Sequence, residues 1–557
     1  MARRPPFRPV PHALTRRGFL ALAAASAAGC AASTVPVSPE DAESSPDATD
    51  GVEDVDAAIP DVAAPLPDIA VPELADDPFT LGVASGDPLS DRVILWTRLA
   101  PEPLWNGGMP DAPAPVAWEI ALEEDFQTLI NDGVAVASPE HGHSVHVDAK
   151  GLEAETSYFY RFHVGEWTSP VGRTRTLPSP GTSPEKLRFV TASCQNYKDG
   201  YYTAHTHLQE EELDFVIFLG DYIYESGKAG SIRDHEAGSP YSLLEYRNRY
   251  AHYRSDPELQ GAHARFPWFV IWDDHEVVNN RAGGATFETE EERSAFESRR
   301  TAGYKAWWEH QPVRIPPPTG NHLPIHRSVE FGGLASLFFL DTRQYRDELG
   351  CGGGIGSHCE DLDNPERQLL GEDQEKWLFD GLSASTATWN VLAQQVVMSD
   401  LTLGGVAINM DQWDGYPAAR ERLLAHLQEQ DIDNAVVLTG DIHAAGVGTM
   451  HATLDDVETP VIATEFVTTA VSSGSQYSDA IDGVLKTFLP SIKHIHYAEL
   501  TQRGYTRHTV TAAKWRVDFR KVETVLEPGA PVATAVSFEL DRQATDAPPV
   551  NVTDSVD

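Results

Sequence analysis

The chain has 557 residues, 41% hydrophobic and 23% charged, long enough for two or more domains with real cores. Its formal net charge of −42 disfavours general electrostatic binding to nucleic-acid backbones or anionic lipid headgroups, so no dedicated nucleic-acid binding is expected. A phosphate-bearing substrate needs a strong local positive source to overcome that field, and a bound metal can supply one.

At the N-terminus, Arg16-Arg17 precede a short apolar run, Phe19 to Ala28, followed by small residues. The run is too short to span a bilayer and fits a secretory signal over residues 1–30. The stretch Thr15 to Leu20, TRRGFL, resembles a twin-arginine signal, which implies the twin-arginine export machinery and passage in the folded state. Ala27 to Cys30, AAGC, resembles a lipobox, which implies a lipid on Cys30 as the membrane link. The expected location is therefore outside the cytoplasm: periplasmic, lipid-anchored at the cell surface, or extracellular. Residues 31–78 carry 13 Asp or Glu and no Lys or Arg. That composition buries too little apolar surface to fold and reads as a flexible acidic tether. In an exported chain, Cys351 and Cys359 across a Gly-rich stretch suggest a local disulfide. Cys194 is left over, as an inert buried thiol or as a ligand.

From Pro78 to about Pro180, short alternating segments such as VILWTRL, VAWEIAL and SYFYRF are separated by turn residues. This predicts a β-sandwich domain over 79–180, and GLEAETSYFYRF resembles the strand entry of fibronectin-type sandwiches. From Glu185 the apolar runs no longer alternate: KLRFVTAS, DFVIFLG, PWFVIW, SLFFLD, WNVLAQQVVM and NAVVLTG. Such runs are strands covered on both faces. Helices are expected near 240–254, 290–310, 366–384 and 418–429, with mainly β structure after 460. The result is an α/β domain over 185–540 and a C-terminal tail over 541–557, with chemistry expected where the strands end.

Four strand ends carry residues that bind metals: Ser193-Cys194-Gln195, Gly220-Asp221 with Tyr224, Asp273-Asp274-His275-Glu276 with Asn279-Asn280, and Gly440-Asp441-Ile442-His443. Each alone reads equally as a solvated turn. In series, each behind a buried strand, they do not. The series resembles calcineurin-like metallophosphoesterases, whose pattern is Asp, GDxxY, GNH(D/E), a His strand and GHxH. Here Cys194 replaces the first Asp, Asp274 the Asn, Asp441 the first His, and Gln394 or Gln395 the strand His. Those departures, together with LDTRQYRD, DQWDGYPAAR and RGYTRHTV, resemble the PhoD-type alkaline phosphatase D family over about 79–540.

The resemblance implies a metallophosphoesterase-like sandwich of mixed sheets flanked by helices, behind a small all-β, fibronectin- or Ig-like domain. It also implies iron(III) beside one or two calcium ions. The donor inventory agrees: thiolate, phenolate and three carboxylates bring several negative charges together, and buried unpaired charge is very costly. A phenol ionises at neutral pH only beside a strong Lewis acid, while carboxylate and amide oxygens suit calcium. Asp221 is expected to bridge, Cys194, Tyr224 and His443 to hold iron, and Asp274 and Asp441 to hold the second metal, with Asn280 and Gln395 as further ligands. The expected reaction is attack of a metal-bound hydroxide on a phosphate ester. His275 is expected to protonate the leaving oxygen, and Arg343 either to hold a substrate phosphate or to pair with an acid. His205, His207, His494 and His496 read as surface or structural residues. The alternatives are a phospholipase D-like phosphodiesterase, a surface-tethered binding protein with a degenerate site, and a chain whose metals are purely structural.

Overall fold

The computed structural model describes residues 69–552, apart from 281–282, 284–286, 288, 355, 404, 454–455, 476–482, 484–486, 488–490 and 545. The expected signal, Cys30 and most of the acidic tether lie outside the described residues. Among those described, no helix is long and apolar enough to cross a membrane.

The unbroken apolar runs form buried strands. Leu187–Ala192, Phe215–Phe218 and Pro267–Val270 lie side by side and parallel. Antiparallel strands Arg503–Val510, Lys514–Val522, Val532–Asp541 and Val550–Val552 extend this sheet on one side. A second sheet holds Ala335–Phe339, Trp389–Ala393, Ala435–Thr439 and Val461–Val467 in parallel. Both sheets contribute to one apolar core. Phe269 stacks on Phe339 with ring centres 4.8 Å apart, and Trp389 meets Trp515 edge to face at 5.7 Å. Burying each such ring stabilises the fold by roughly 1.5–3 kcal/mol.

Helices Leu243–Arg254, Glu290–His310, Glu372–Ala384 and Pro417–Glu429 form in the expected places. The first opens on a capping box in which Ser242 and Glu245 satisfy each other's backbone N–H. Thr289 caps the second, with Glu290, Glu291 and Glu292 in its positive first turn. Two shorter helices, Thr203–Leu208 and Pro257–Arg265, escape the sequence reading. The first has too few residues for a period to show; the second is marked only by its Asp256 cap and Pro257.

Over 79–180 two antiparallel β layers share one apolar core, with Val83, Val93, Leu95, Val145 and Val147 of one layer against Val116, Ile120, Tyr158, Tyr160 and Phe162 of the other. Ala114–Ala121, Leu129–Ala137, Ser157–Val164, Trp167–Thr168 and Gly172–Arg175 do form a separate antiparallel sheet. Val83–Gly86, Arg92–Arg98 and Ser144–Lys150 form the facing layer and also complete a ten-stranded sheet with the later strands, a junction that the sequence reading did not include. Val83–Gly86 runs parallel to Pro267–Val270 and covers what would otherwise be a bare sheet edge. A Cβ on Gly86 would stand 2.3 Å from the Pro312 carbonyl oxygen, so glycine permits this approach. Asp87 then pairs with Arg327 at 2.7 Å, closing the seam. Within the expected tail over 541–557, Val550–Val552 is an edge strand of the same sheet.

Candidate metal centre

Parallel strands of both sheets deliver their carboxyl ends to one place. Leu187–Ala192 leads to Cys194, Phe215–Phe218 to Asp221, Pro267–Val270 to Asp274, and Ala435–Thr439 to Asp441 and His443. Cys194, Asp221, Asp441 and His443 all adopt left-handed backbone angles, with φ of 58°, 57°, 61° and 54°. Such a conformation costs a non-glycine residue about 1–3 kcal/mol and persists only where the surroundings impose it. Gly220 lets two of the loops touch, since a Cβ there would lie 2.5 Å from Asp273 Cβ.

Ligand atoms of Cys194, Asp221 and His443 lie within 4.8 Å of one another. Tyr224 joins them: its Oη is 2.7 Å from Asp221 Oδ2 and 2.8 Å from His443 Nε2. The Gly474 carbonyl, 2.7 Å from His443 Nδ1, can only accept, so it fixes the proton there and turns the lone pair of Nε2 inward. Asp221, Asp274 and His275 form a second group and Asp273, Asp274 and Asp441 a third. Asp221 belongs to the first two and Asp274 to the last two, so the groups are contiguous.

The acidic half is knit by Arg343. Its guanidinium contacts Asp273, donates to Asp411 Oδ2 at 2.7 Å and to Asp441 Oδ1 at 3.0 Å, and lies 4.0 Å from Asp274. Pairing with acids, one of the two roles open to it in the sequence, is what the geometry shows. Gln412 Nε2 holds the other Asp441 oxygen at 2.6 Å, and Arg346 holds Asp411 Oδ1 at 2.6 Å. Gln395 is a correction. Its oxygen accepts from Thr342 N and Oγ1, and its amide donates to the Trp272 and Leu340 carbonyls. Those bonds use the group up as an internal brace between the sheets, and it leaves the ligand set. Gln394 is likewise engaged, with Thr439 and Trp413. Asn280 is half-buried and reaches the site through its backbone N–H, 2.6 Å from Asp274 Oδ2.

His275 sits over the Tyr224 ring at 4.0 Å, and its Nδ1 lies 2.6 Å from Glu225 Oε2. Burial opposes charge on this imidazole, but Glu225, then Asp221 and Asp274, outweigh it and hold its pKa well above the usual value. Glu276 is buried beneath the loops, accepting from Tyr222 N at 2.7 Å, Asp273 N at 2.9 Å and Asp221 N at 3.3 Å. Burial and then Asp221 push its pKa up to about 8. His205, His207, His494 and His496 each pair with an amide, a hydroxyl or a backbone carbonyl away from these groups.

The donor set fits a cation pair. Burial, and then the Asp221 charge, raise the pKa of Cys194 and of Tyr224 well above their ordinary values. In the protein alone both keep their protons, so anionic sulfur and phenolate donors there require a cation of high charge density. Burial pushes Asp441 up to about 6 against the pull of Arg343. Among the described residues, Asp273 Oδ2 and Asp274 Oδ1 are buried with no hydrogen-bond partner, the condition a metal ion relieves.

The profile of the PhoD-like phosphatase family matches residues 189–519, and that of its N-terminal domain matches residues 65–178. The chain belongs to the PhoD-like phosphatase family. It is 46% identical over 487 residues to alkaline phosphatase D of Bacillus subtilis (strain 168), covering 85% of this chain and 82% of that one. A solved structure of PhoD superposes with a TM-score of 0.82 at 44% identity, covering 87% of this chain and 94% of that one.

Against this family background, several residues support the site in roles that the sequence motifs do not specify. Glu225, Glu276, Asp411, Gln412, Ser473 and Gly474 act by holding donors or their loops. Glu225 and Glu276 directly follow donor motifs, which was the available signal. Ser473 and Gly474 lie in a plain VSSGS stretch that carries none. Cys351 and Cys359 are joined in a disulfide.

Proposed function

We propose that this PhoD-like phosphatase hydrolyses phosphate esters at the cluster shared by Cys194, Asp221, Tyr224, His443, Asp274 and Asp441. The observation that carries this reading is the double membership of Asp221, which lies within 4.8 Å of both the Cys194–His443 and the Asp274–His275 ligand atoms. The first half, with thiol, phenol and imidazole, suits iron(III); the all-oxygen second half, Asp274 and Asp441, suits calcium. When bound, the ions supply Lewis acidity to the phosphoryl group and a nucleophile at alkaline pH. The chain does the rest. His275 commits Nδ1 to Glu225, leaving Nε2 to give a proton to the leaving oxygen. Arg343 fixes Asp441, Asp411 and Asp273 in place.

The two packed mixed sheets are read as the metallophosphoesterase sandwich, with the N-terminal antiparallel sheet as its Ig-like companion. The twin arginines and AAGC support export by the twin-arginine machinery and lipid attachment at Cys30.

One observation favours diesters. With its single positive charge shared among three aspartates, Arg343 offers little net charge to the second negative charge of a monoester dianion. A missing charge-assisted hydrogen bond is worth about 10-fold or more. A chromogenic diester is therefore expected to exceed the matching monoester in kcat/KM by about 10-fold, at alkaline pH with calcium and without chelator. A monoester preference would reverse the substrate assignment. No hydrolysis of either ester by metal-loaded protein would overturn the enzyme reading.

A further inference from the structure

The segment Val471–Gly474 follows the strand Val461–Val467 and lies against three of the four donors of the first half-site. Ser473 Oγ stands 2.8 Å from Tyr224 Oη and 2.6 Å from the Cys194 carbonyl oxygen, and accepts from Asn196 N at 3.0 Å. Gly474 holds His443 through its carbonyl, while its own N–H donates to Asp199 Oδ2 at 2.9 Å. Arg503 pins the segment through the Ser473 and His443 carbonyls. Ser473 itself is fully buried.

Among the described residues, three groups surround the Tyr224 oxygen: Asp221 Oδ2, His443 Nε2 and Ser473 Oγ. The first two can only accept from it, because Asp221 is a carboxylate and the His443 proton is on Nδ1. Both are themselves donors of the proposed site and turn to the ion together with Tyr224. Ser473 is then the one of the three able to donate to the tyrosine oxygen. Its single proton has two acceptors within reach, the Cys194 carbonyl and Tyr224 Oη.

We propose that Ser473 is a positioning residue of the first half-site, swinging its hydroxyl proton from the Cys194 carbonyl to the Tyr224 oxygen when that half is occupied. The inference rests on the reading of Tyr224 as a ligand. On occupancy the Tyr224 O–H gives up its proton to solvent as the oxygen binds the ion, and at Ser473 only the hydrogen-bond acceptor changes. The donor lowers the energy of the phenolate lone pairs and fixes the direction in which the oxygen faces the ion. Partners of this kind are worth about 10- to 100-fold in metal affinity.

The test compares full-length wild type, Ser473→Ala, Ser473→Thr and Ser472→Ala, each loaded with iron(III). Ser472 is the control: it is equally buried and donates to the Asn196 carbonyl at 2.9 Å, away from every donor atom. The readouts are the visible tyrosinate-to-iron charge-transfer band and the loss of iron to a competing chelator. Ser473→Ala is expected to move the band to longer wavelength and to weaken iron retention about 10- to 100-fold. Ser473→Thr, which keeps the hydroxyl, returns both towards wild type, and Ser472→Ala changes neither. An unchanged band and unchanged retention in Ser473→Ala, with or without a lower melting temperature, would overturn the proposal, as would an equal shift in Ser472→Ala. Iron bound by wild type without any such band would remove Tyr224 from the ligand set and take this proposal with it.

Discussion

Asp221→Asn is expected to lower kcat/KM for phosphate-ester hydrolysis by about 10³-fold, because it loses several kcal/mol of charge stabilisation between the two half-sites. Asp221 is the residue common to the thiol–imidazole group and the Asp274–His275 group. An amide keeps one oxygen for one neighbour but not the negative charge that lets a carboxylate serve two cations. The fold should survive the change. Asparagine has the same shape and is among the few residues that tolerate a φ near the 57° found at this position. Melting temperature should therefore stay close to wild type while bound metal and turnover fall together. Full activity in this variant would mean that the reaction takes place elsewhere in the chain.

Arg343→Met should produce the largest loss of stability, about 3–5 kcal/mol, as expected when one partner of a buried ion pair is removed. The guanidinium is buried and meets Asp273, Asp411 at 2.7 Å and Asp441 at 3.0 Å. Without it, Arg346 still pairs with Asp411, while Asp273 and Asp441 lose the positive charge between them. A divalent cation on the acidic half replaces part of the missing charge. Unfolding in denaturant should show a large deficit in calcium-free buffer and a smaller one at saturating calcium. Arg343→Lys should recover little, since a single ammonium cannot meet three carboxylates with a planar fork. A variant as stable as wild type without calcium would show that these carboxylates do not depend on Arg343.

Legibility in the sequence followed the physics of each element. Phe215–Phe218, Pro267–Val270 and Ala435–Thr439 are buried on both faces, so they read as unbroken apolar runs, and the polar residues straight after them mark the site. Cys194 was undecided from spacing because its partners, Asp221 and His443, come from other strands. The joining of Val83–Gly86 to Pro267–Val270 left no local trace, since alternation reports which face is buried and not which strand is the neighbour. Gln395 stands at a strand end as a ligand would, and only its four protein hydrogen bonds show it to be a brace. Glu276 stands beside a donor motif but works through backbone N–H groups, and Ser473 works through its hydroxyl in a stretch that no motif marks.

The most direct test of the metal-dependent phosphoesterase is hydrolysis by wild-type protein stripped with a strong chelator and then reloaded with iron(III), calcium, or both. The expected result is a stripped protein that stays folded and loses turnover, with activity returning fully only when both ions are restored. Undiminished turnover after complete stripping, or a protein that unfolds on stripping and hydrolyses no ester after any reloading, would contradict it.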